Sequence, residues 1–132
     1  MTGSMIIKPA VQKRFDRFMA HGRILFFSAP CGFGKTALAD ALLRGREVLR
    51  LNAGAPDCAI PPTAPDWDIL LIDDFQLMQD EAGQQALCEL IRSSPERRFV
   101  LLSRGAPPGC LTAFQYTGLM TVLTADDLLF DR

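Results

Sequence analysis

The stretch "APCGFGKTA", residues 29–37, sets two glycines, a lysine and a threonine where a backbone can fold round an anion. Gly32 and Gly34 keep side chains out of a loop whose amides must point inward, and a helix opening at Lys35 would aim its positive end at the same point. On this reading Pro30, Cys31, Gly32, Phe33, Gly34, Lys35, Thr36 and Ala37 form a phosphate cradle. Lys35 reaches the β- and γ-phosphates of a nucleotide, and Thr36 offers its hydroxyl to Mg²⁺. The common spacing G-x-x-x-x-G-K-[ST] begins here with Ala29 in place of glycine. A residue before proline is driven into extended geometry, so Ala29 can continue a strand and needs no positive φ. Cys31 stands inside the cradle, where helix N-terminal amides favour thiolate.

Two further apolar runs end in charge. "ILLIDDF", residues 69–75, delivers Asp73 and Asp74 to the C-terminal edge of a parallel sheet, where open α/β folds bind ligands. Asp73 is expected to hold Mg²⁺ and Asp74 to polarise an attacking water. Aspartate is one methylene shorter than glutamate, so its reach is poorer and turnover slow; the competing role for Asp74 is a helix N-cap. "FVLLSRG", residues 99–105, brings Ser103 and Arg104 to the same edge. If that run lies beside the strand feeding the loop, Arg104 meets the γ-phosphate and senses nucleotide state; otherwise it is a solvated surface arginine. Lys35, Asp74 and Arg104 are thus the candidate catalytic residues, and Thr36 and Asp73 the candidate metal ligands.

Positioning these groups requires strands that alternate with helices. Apolar runs at 24–28, 48–52, 69–72, 99–103 and 120–123 predict five strands in a mainly parallel sheet. Val11, Phe15, Phe18 and Met19 share one face of a helix entered through Pro9. A second helix over 35–44 presents Ala37, Leu38, Ala41 and Leu42, with Gly45 as its C-terminal cap. A third over 81–93 buries Ala86, Leu87, Leu90 and Ile91. Thr124 with Asp127 forms a capping box for one more helix, which the chain has no room to finish. The link from Asn52 to Ile69 is rich in Pro, Ala and Gly, which predicts an irregular, mobile crossover anchored by Trp67.

Composition narrows the function classes. The 132 residues are 48% hydrophobic, enough for one domain with one core. Fourteen basic and fifteen acidic residues leave a net charge of −1, which argues against direct nucleic-acid binding. Cys31, Cys58, Cys88 and Cys110 include no C-x-x-C pair, so neither a zinc site nor a disulfide framework is indicated and a reduced, cytoplasmic protein is expected. Neither a membrane span nor a signal-peptide core is present in the sequence. The opening "TGSM", residues 2–5, has the form of a cloning remnant and is set aside. His21 suits a solvent-facing helix end, Phe75 and Phe114 suit the core, and Arg44, Arg46 and Arg50 suit a solvated charged face.

The succession "SAPCGFGKT", "LLIDDF" and "VLLSRGAPP" resembles the nucleotide-binding core of STAND-class signalling ATPases, most closely that of the large MalT-type LuxR-family transcriptional regulators. Their loop commonly reads A-P-x-G-[FY]-G-K-T. The lead-in "KPAVQKRFDRFMAHGRI" and the exit "LTADDLLF" are similar to the family's as well, so the resemblance covers nearly the whole chain. It implies a P-loop NTPase three-layer sandwich that binds ATP or ADP with Mg²⁺, hydrolyses slowly, and switches through Lys35, Thr36, Asp73, Asp74 and Arg104. It also implies a single domain from the N-terminal part of a larger regulator, with self-association under ATP control. DNA would be bound by a C-terminal helix-turn-helix that these residues do not include. The 52–69 link departs from the family in being much shorter. A compact stand-alone AAA-like ATPase working in an assembly is the alternative. A small-molecule kinase would need an Arg-rich lid, and residues 75–98 offer only Arg92, Arg97 and Arg98.

Replacing the loop lysine tests the cradle. Lys35→Ala is expected to lose most of its Mg-ATP affinity in calorimetric titration while keeping the parent's circular dichroism spectrum. Parent-like affinity would exclude the phosphate-loop reading.

Overall fold

Alternation along the first strand, β1 (Ile24–Ser28), builds two cores at once, because successive strand residues point to opposite faces. In the computed structural model, which describes residues 8–30, 34–55 and 67–128, Leu25 and Phe27 share a cluster with Val11, Phe15 and Phe18 of α1 (Pro9–His21) and with Leu38, Ala39 and Leu42 of α2 (Lys35–Leu42). Ile24 and Phe26 face the other way. They join Leu87, Leu90 and Ile91 of α3 (Glu81–Ser93) and Leu111 and Phe114 of α4 (Gly109–Tyr116). The result is helix, sheet, helix in three layers.

The sheet contains β1 with β2 (Val48–Asn52), β3 (Ile69–Asp73), β4 (Arg98–Ser103) and β5 (Met120–Thr124). Its order is β2-β3-β4-β1-β5, and every pairing is parallel. Sheets of this kind are covered on both faces and read as continuous apolar runs, as β1, β3 and β4 do. Each fully buried side chain of Val, Leu, Ile or Phe size contributes about 1.5–3 kcal/mol. Phe26, Phe27, Phe99, Leu70, Leu71 and Ile72 are all in that class.

The five strands fall where the apolar runs place them, with β3 reaching Asp73, β4 starting at Arg98 and β5 ending at Thr124. Two helix faces differ. On α2, Leu38 and Leu42 set the buried stripe and Ala39 completes it, while Ala37 is exposed and Ala41 only partly covered. On α3, Cys88 is buried and Ala86 is exposed, because the stripe through Leu87 and Ile91 turns toward Cys88. Helix α2 also ends at Leu42, two residues early, and Gly45 (φ 83°) sits in the turn that follows rather than at the cap. Helix α4 and the 3₁₀ turn Phe75–Leu77 were not expected at all. Flanking "GAPPG" reads as loop, and eight residues leave little periodicity to detect.

Several side chains close the helix ends. Asp80 is the N-cap of α3 and accepts from Gly83 N at 2.8 Å. At the other end the Arg23 guanidinium donates to the carbonyls of Ile91, Ser94 and Arg97. The capping box forms where it was expected: Thr124 N and Oγ1 both donate to Asp127 Oδ2, and α5 (Ala125–Leu128) follows. Burial alone would raise the Asp127 carboxyl, but the Thr124 hydrogen bonds and the Arg14 guanidinium outweigh it and hold the group below the usual carboxylate range. Trp67 is buried edge-on against Phe99, with the Arg97 guanidinium 4.4 Å over its ring, so it does anchor the end of the crossover. Residues 56–66 of that crossover lie outside the described residues. No helix among those described is long and apolar enough to cross a membrane.

The Asp80 cap satisfies a helix N-terminal amide that would otherwise rely on solvent. Asp80→Ala should therefore lower unfolding free energy by about 0.5–2 kcal/mol. In urea titration the midpoint should fall with the slope unchanged.

Candidate functional site

The connections leaving β1 and β4 pass to opposite faces of the sheet, α2 to one and α4 to the other. Between the C-terminal ends of these two neighbours lies the crevice in which open α/β sheets bind ligands. Register puts Ser28 opposite Ser103, and Asn52 opposite Asp73. Strands stand about 4.8 Å apart, so the end of β3 lies about 10 Å across the edge from the end of β1. Residues far apart in sequence thus meet along one edge.

The loop entry behaves as its local chemistry dictates. Ala29 is buried and its N–H donates to Ser103 O at 3.1 Å, adding one rung beyond β1. Gly34 is the α2 N-cap in left-handed geometry (φ 71°), a conformation that favours glycine. A Cβ added there would meet nothing within 4 Å, so the demand is on the backbone and not on space. The first intrahelical donor is Leu38 N, bonded to Gly34 O, which leaves the amides of Lys35, Thr36 and Ala37 ahead of the helical ladder. Thr36 and Ala37 are exposed in that turn, and Pro30 is exposed at the loop entry. Lys35 folds back over the loop, its Nζ donating to Ala29 O at 2.6 Å and Pro30 O at 3.1 Å. Cys31, Gly32 and Phe33 lie outside the described residues.

The acidic pair is held by its own backbone and by one neighbour. Asp73 is half-buried at the last position of β3, and its Oδ1 accepts from Asp74 N at 2.8 Å. Asp74 is left-handed (φ 52°, ψ 41°), the only non-glycine among the described residues with positive φ. Aspartate is one of the few side chains that tolerate this region, and such outliers concentrate at functional sites. Asp74 occupies the N-cap position of the 3₁₀ turn, yet its side chain makes no capping bond. Its carboxylate is approached instead by Asn52 Nδ2 at 3.4 Å, and Asn52 Oδ1 accepts from Gly54 N at 2.8 Å. Asn52 was not singled out from the sequence. Only its strand-end position, in register with Asp73, marks it.

Arg104 leaves the sheet at the end of β4, directly beside β1, which is the neighbour relation its expected role requires. Its backbone is tied on both sides. Arg104 N donates to Gln76 Oε1 at 3.0 Å, and Ser28 Oγ donates to Gly105 O at 2.9 Å. The side chain is exposed. Gln76 and Ser28 join the acidic turn and the loop strand to the Arg104 turn, and neither had a sequence signal. His21 ends α1 ahead of β1, at the opposite edge of the sheet, and Phe75 and Phe114 are buried in the core. Arg46 lies over the Phe15 ring and Arg50 pairs with Asp40.

Hydroxyl and carboxylate are hard oxygen donors of the kind Mg²⁺ takes. Thr36 is exposed in the first turn of α2, and among the described residues Asp73 accepts a bond on one carboxylate oxygen, so both suit that ion. Among the described residues no cluster of three or more His, Cys, Asp or Glu forms an all-protein metal cage.

No family model and no curated protein sequence matches the chain. Solved structures do. One chain of Drosophila ORC bound to DNA aligns with a TM-score of 0.55 at 12% identity, over 88% of this chain and 91% of that one. C. elegans PCH-2 aligns at 0.54 and 12% identity, over 90% of this chain and 44% of that one. Bacteroides sp Pif1 in complex with ADP-AlF4 aligns at 0.54 and 14%, over 86% of this chain and 36% of that one. These neighbours are P-loop NTPases, and the five-stranded parallel α/β sandwich of this chain is their fold.

Asn52 and the left-handed backbone make Asp74→Asn a clean test, since asparagine also tolerates positive φ. The variant is expected to bind Mg-ATP as the parent does and to lose phosphate release in a coupled assay. Undiminished release would return Asp74 to a purely structural role.

Proposed function

We propose that this chain is an ATP- and ADP-binding switch domain that hydrolyses ATP slowly in the presence of Mg²⁺. The observation that carries the reading is the single sheet edge on which the loop entry at Ala29 and Pro30, the first turn of α2, the Asp73–Asp74 turn and Arg104 converge. The amides opening α2 and the Lys35 ammonium would take the phosphates, with Lys35 exchanging its two loop carbonyls for phosphate oxygens. Thr36 and Asp73 would hold Mg²⁺, which when bound neutralises phosphate charge. Asp74, oriented by Asn52, would accept the proton of an attacking water. Arg104 would report whether a γ-phosphate is present.

The finer reading is a MalT-like LuxR-family regulator, supported by "SAPCGFGKT", "LLIDDF" and "VLLSRGAPP". In that setting the protein is cytoplasmic, self-associates in response to ATP, and contacts DNA through a helix-turn-helix outside these residues. A net charge of −1 supports a segment that does not itself grip DNA. A compact AAA-like ATPase working in an assembly is the second reading, favoured by the ORC and PCH-2 likenesses. A DNA-shift assay on the complete gene product would separate the two, since only the regulator should retain an operator.

Arg104 gives the sharper test of the switch itself. A charge-assisted hydrogen bond made only to a γ-phosphate is worth roughly 1.5–3 kcal/mol, or about ten- to hundredfold in affinity. Arg104→Ala should weaken ATP by that factor and leave ADP nearly unchanged in titrations at fixed Mg²⁺ and salt. Equal losses for both nucleotides, or none, would remove Arg104 as the sensor.

A further inference from the structure

Two thiols from different helices meet behind the Arg104 turn. Cys88 is buried on α3, and Cys110 is half-buried in the first turn of α4. Cys88 Sγ donates to the Cys110 carbonyl oxygen at 3.6 Å, which sets the buried thiol against the backbone that carries the second one. Cys110 Sγ in turn donates to Gln84 Oε1 at 3.7 Å, while Gln84 Nε2 donates to Met78 O at 2.8 Å. Gln84, Met78 and Pro108 line a cleft of about 140 Å³ together with Gln76, whose amide oxygen holds the Arg104 backbone. A single buried thiol is ordinary filling for a core. A second cysteine beside it, only half-buried, is not required by packing. Neither cysteine belongs to the phosphate cradle or to the acidic turn.

We propose that Cys88 and Cys110 form a modification site that exchanges with low-molecular-weight disulfides, closing a reversible covalent link between α3 and α4. The oxidant is a small disulfide, R–S–S–R. Cys110, the more accessible thiol, loses its proton and its thiolate attacks one sulfur, forming a mixed disulfide and expelling R–S⁻. Cys88 then loses its proton and attacks the Cys110 sulfur, the protein S–S bond forms, and a second R–S⁻ leaves. Both protons end on the two R–SH released, so the protein thiols give up two electrons and the small disulfide takes them. The order of attack follows from the surroundings. Burial first, then the hydrogen bond and charge of Cys110, push the Cys88 thiol up to about 12, which makes it a poor first nucleophile. Once closed, the link pins the first turn of α4 to α3, and with it the residues 104–108 that carry Arg104 out of β4.

The experiment needs no nucleotide and stands apart from the proposed function. The whole chain is incubated with oxidised glutathione, quenched in acid and mapped by peptide mass spectrometry. A Cys88–Cys110 peptide lighter than the reduced pair by two hydrogens is expected, reversed by dithiothreitol, with the oxidised form melting about 5–15 °C higher. Cys88→Ser is expected to stop at a glutathione adduct on Cys110. Cys110→Ser leaves the buried thiol in place, so the core is undisturbed and Cys88 should stay unmodified. A native map in which other cysteines react while no Cys88–Cys110 peptide appears overturns the proposal. So does glutathionylation of Cys88 in Cys110→Ser at the native rate.

Discussion

The parallel ladder between β1 and β4 sets the geometry on which the candidate site depends. It aligns Ser28 with Ser103, and Ala29 N adds a further rung to Ser103 O just where the chain must leave the sheet. That extra rung delays the departure of the loop by one residue, and Gly34 takes the left-handed geometry from which α2 begins. Ladder pairing cannot slip by one residue here, because a slip would turn Phe26 and Phe27 to the wrong cores. Register is therefore enforced by burial on both faces, and the site inherits its precision from that enforcement.

Around this ladder the polar groups form a connected rim. Asn52 at the end of β2 approaches Asp74, Asp73 accepts from the Asp74 amide, Gln76 holds Arg104 N, and Ser28 reaches Gly105 O. Four of the five strands thus contribute to one edge through bonds that involve backbone at nearly every step. Such bonds fix where the strand-end turns sit while leaving the Arg104 side chain in solvent. A turn held by its backbone with an exposed charged side chain fits the sensor role proposed for Arg104.

The opposite face carries a second, quieter arrangement. Helices α3 and α4 pack over β3, β4 and β1, and the two thiols lie at their contact. Twenty-two residues separate Cys88 from Cys110 in the chain, with all of β4 between them. Sequence spacing gives no hint of the pair, and only the return of the chain after β4 brings the second helix back beside the first.

What the sequence determined by itself was whatever rests on local physics. Runs of Ile, Leu, Phe and Val placed all five strands, Ala29 before Pro30 read as extended, and Thr124 with Asp127 announced the box that opens α5. The placement of the candidate residues Lys35, Asp73, Asp74 and Arg104 was legible too, since each ends or follows an apolar run whose direction is fixed in a parallel sheet. Tertiary structure alone decided the rest. Which alanine of α2 faces the core, whether Ala86 or Cys88 is buried, and the existence of α4 depend on docking angles that a short helix does not encode. The partners Asn52, Gln76 and Ser28 emerged only with strand order. A polar residue at or just past a strand end acquires a role when a neighbouring segment places a carboxylate, an amide N–H or a carbonyl opposite it, and that neighbour lies 22, 28 or 77 residues away along the chain.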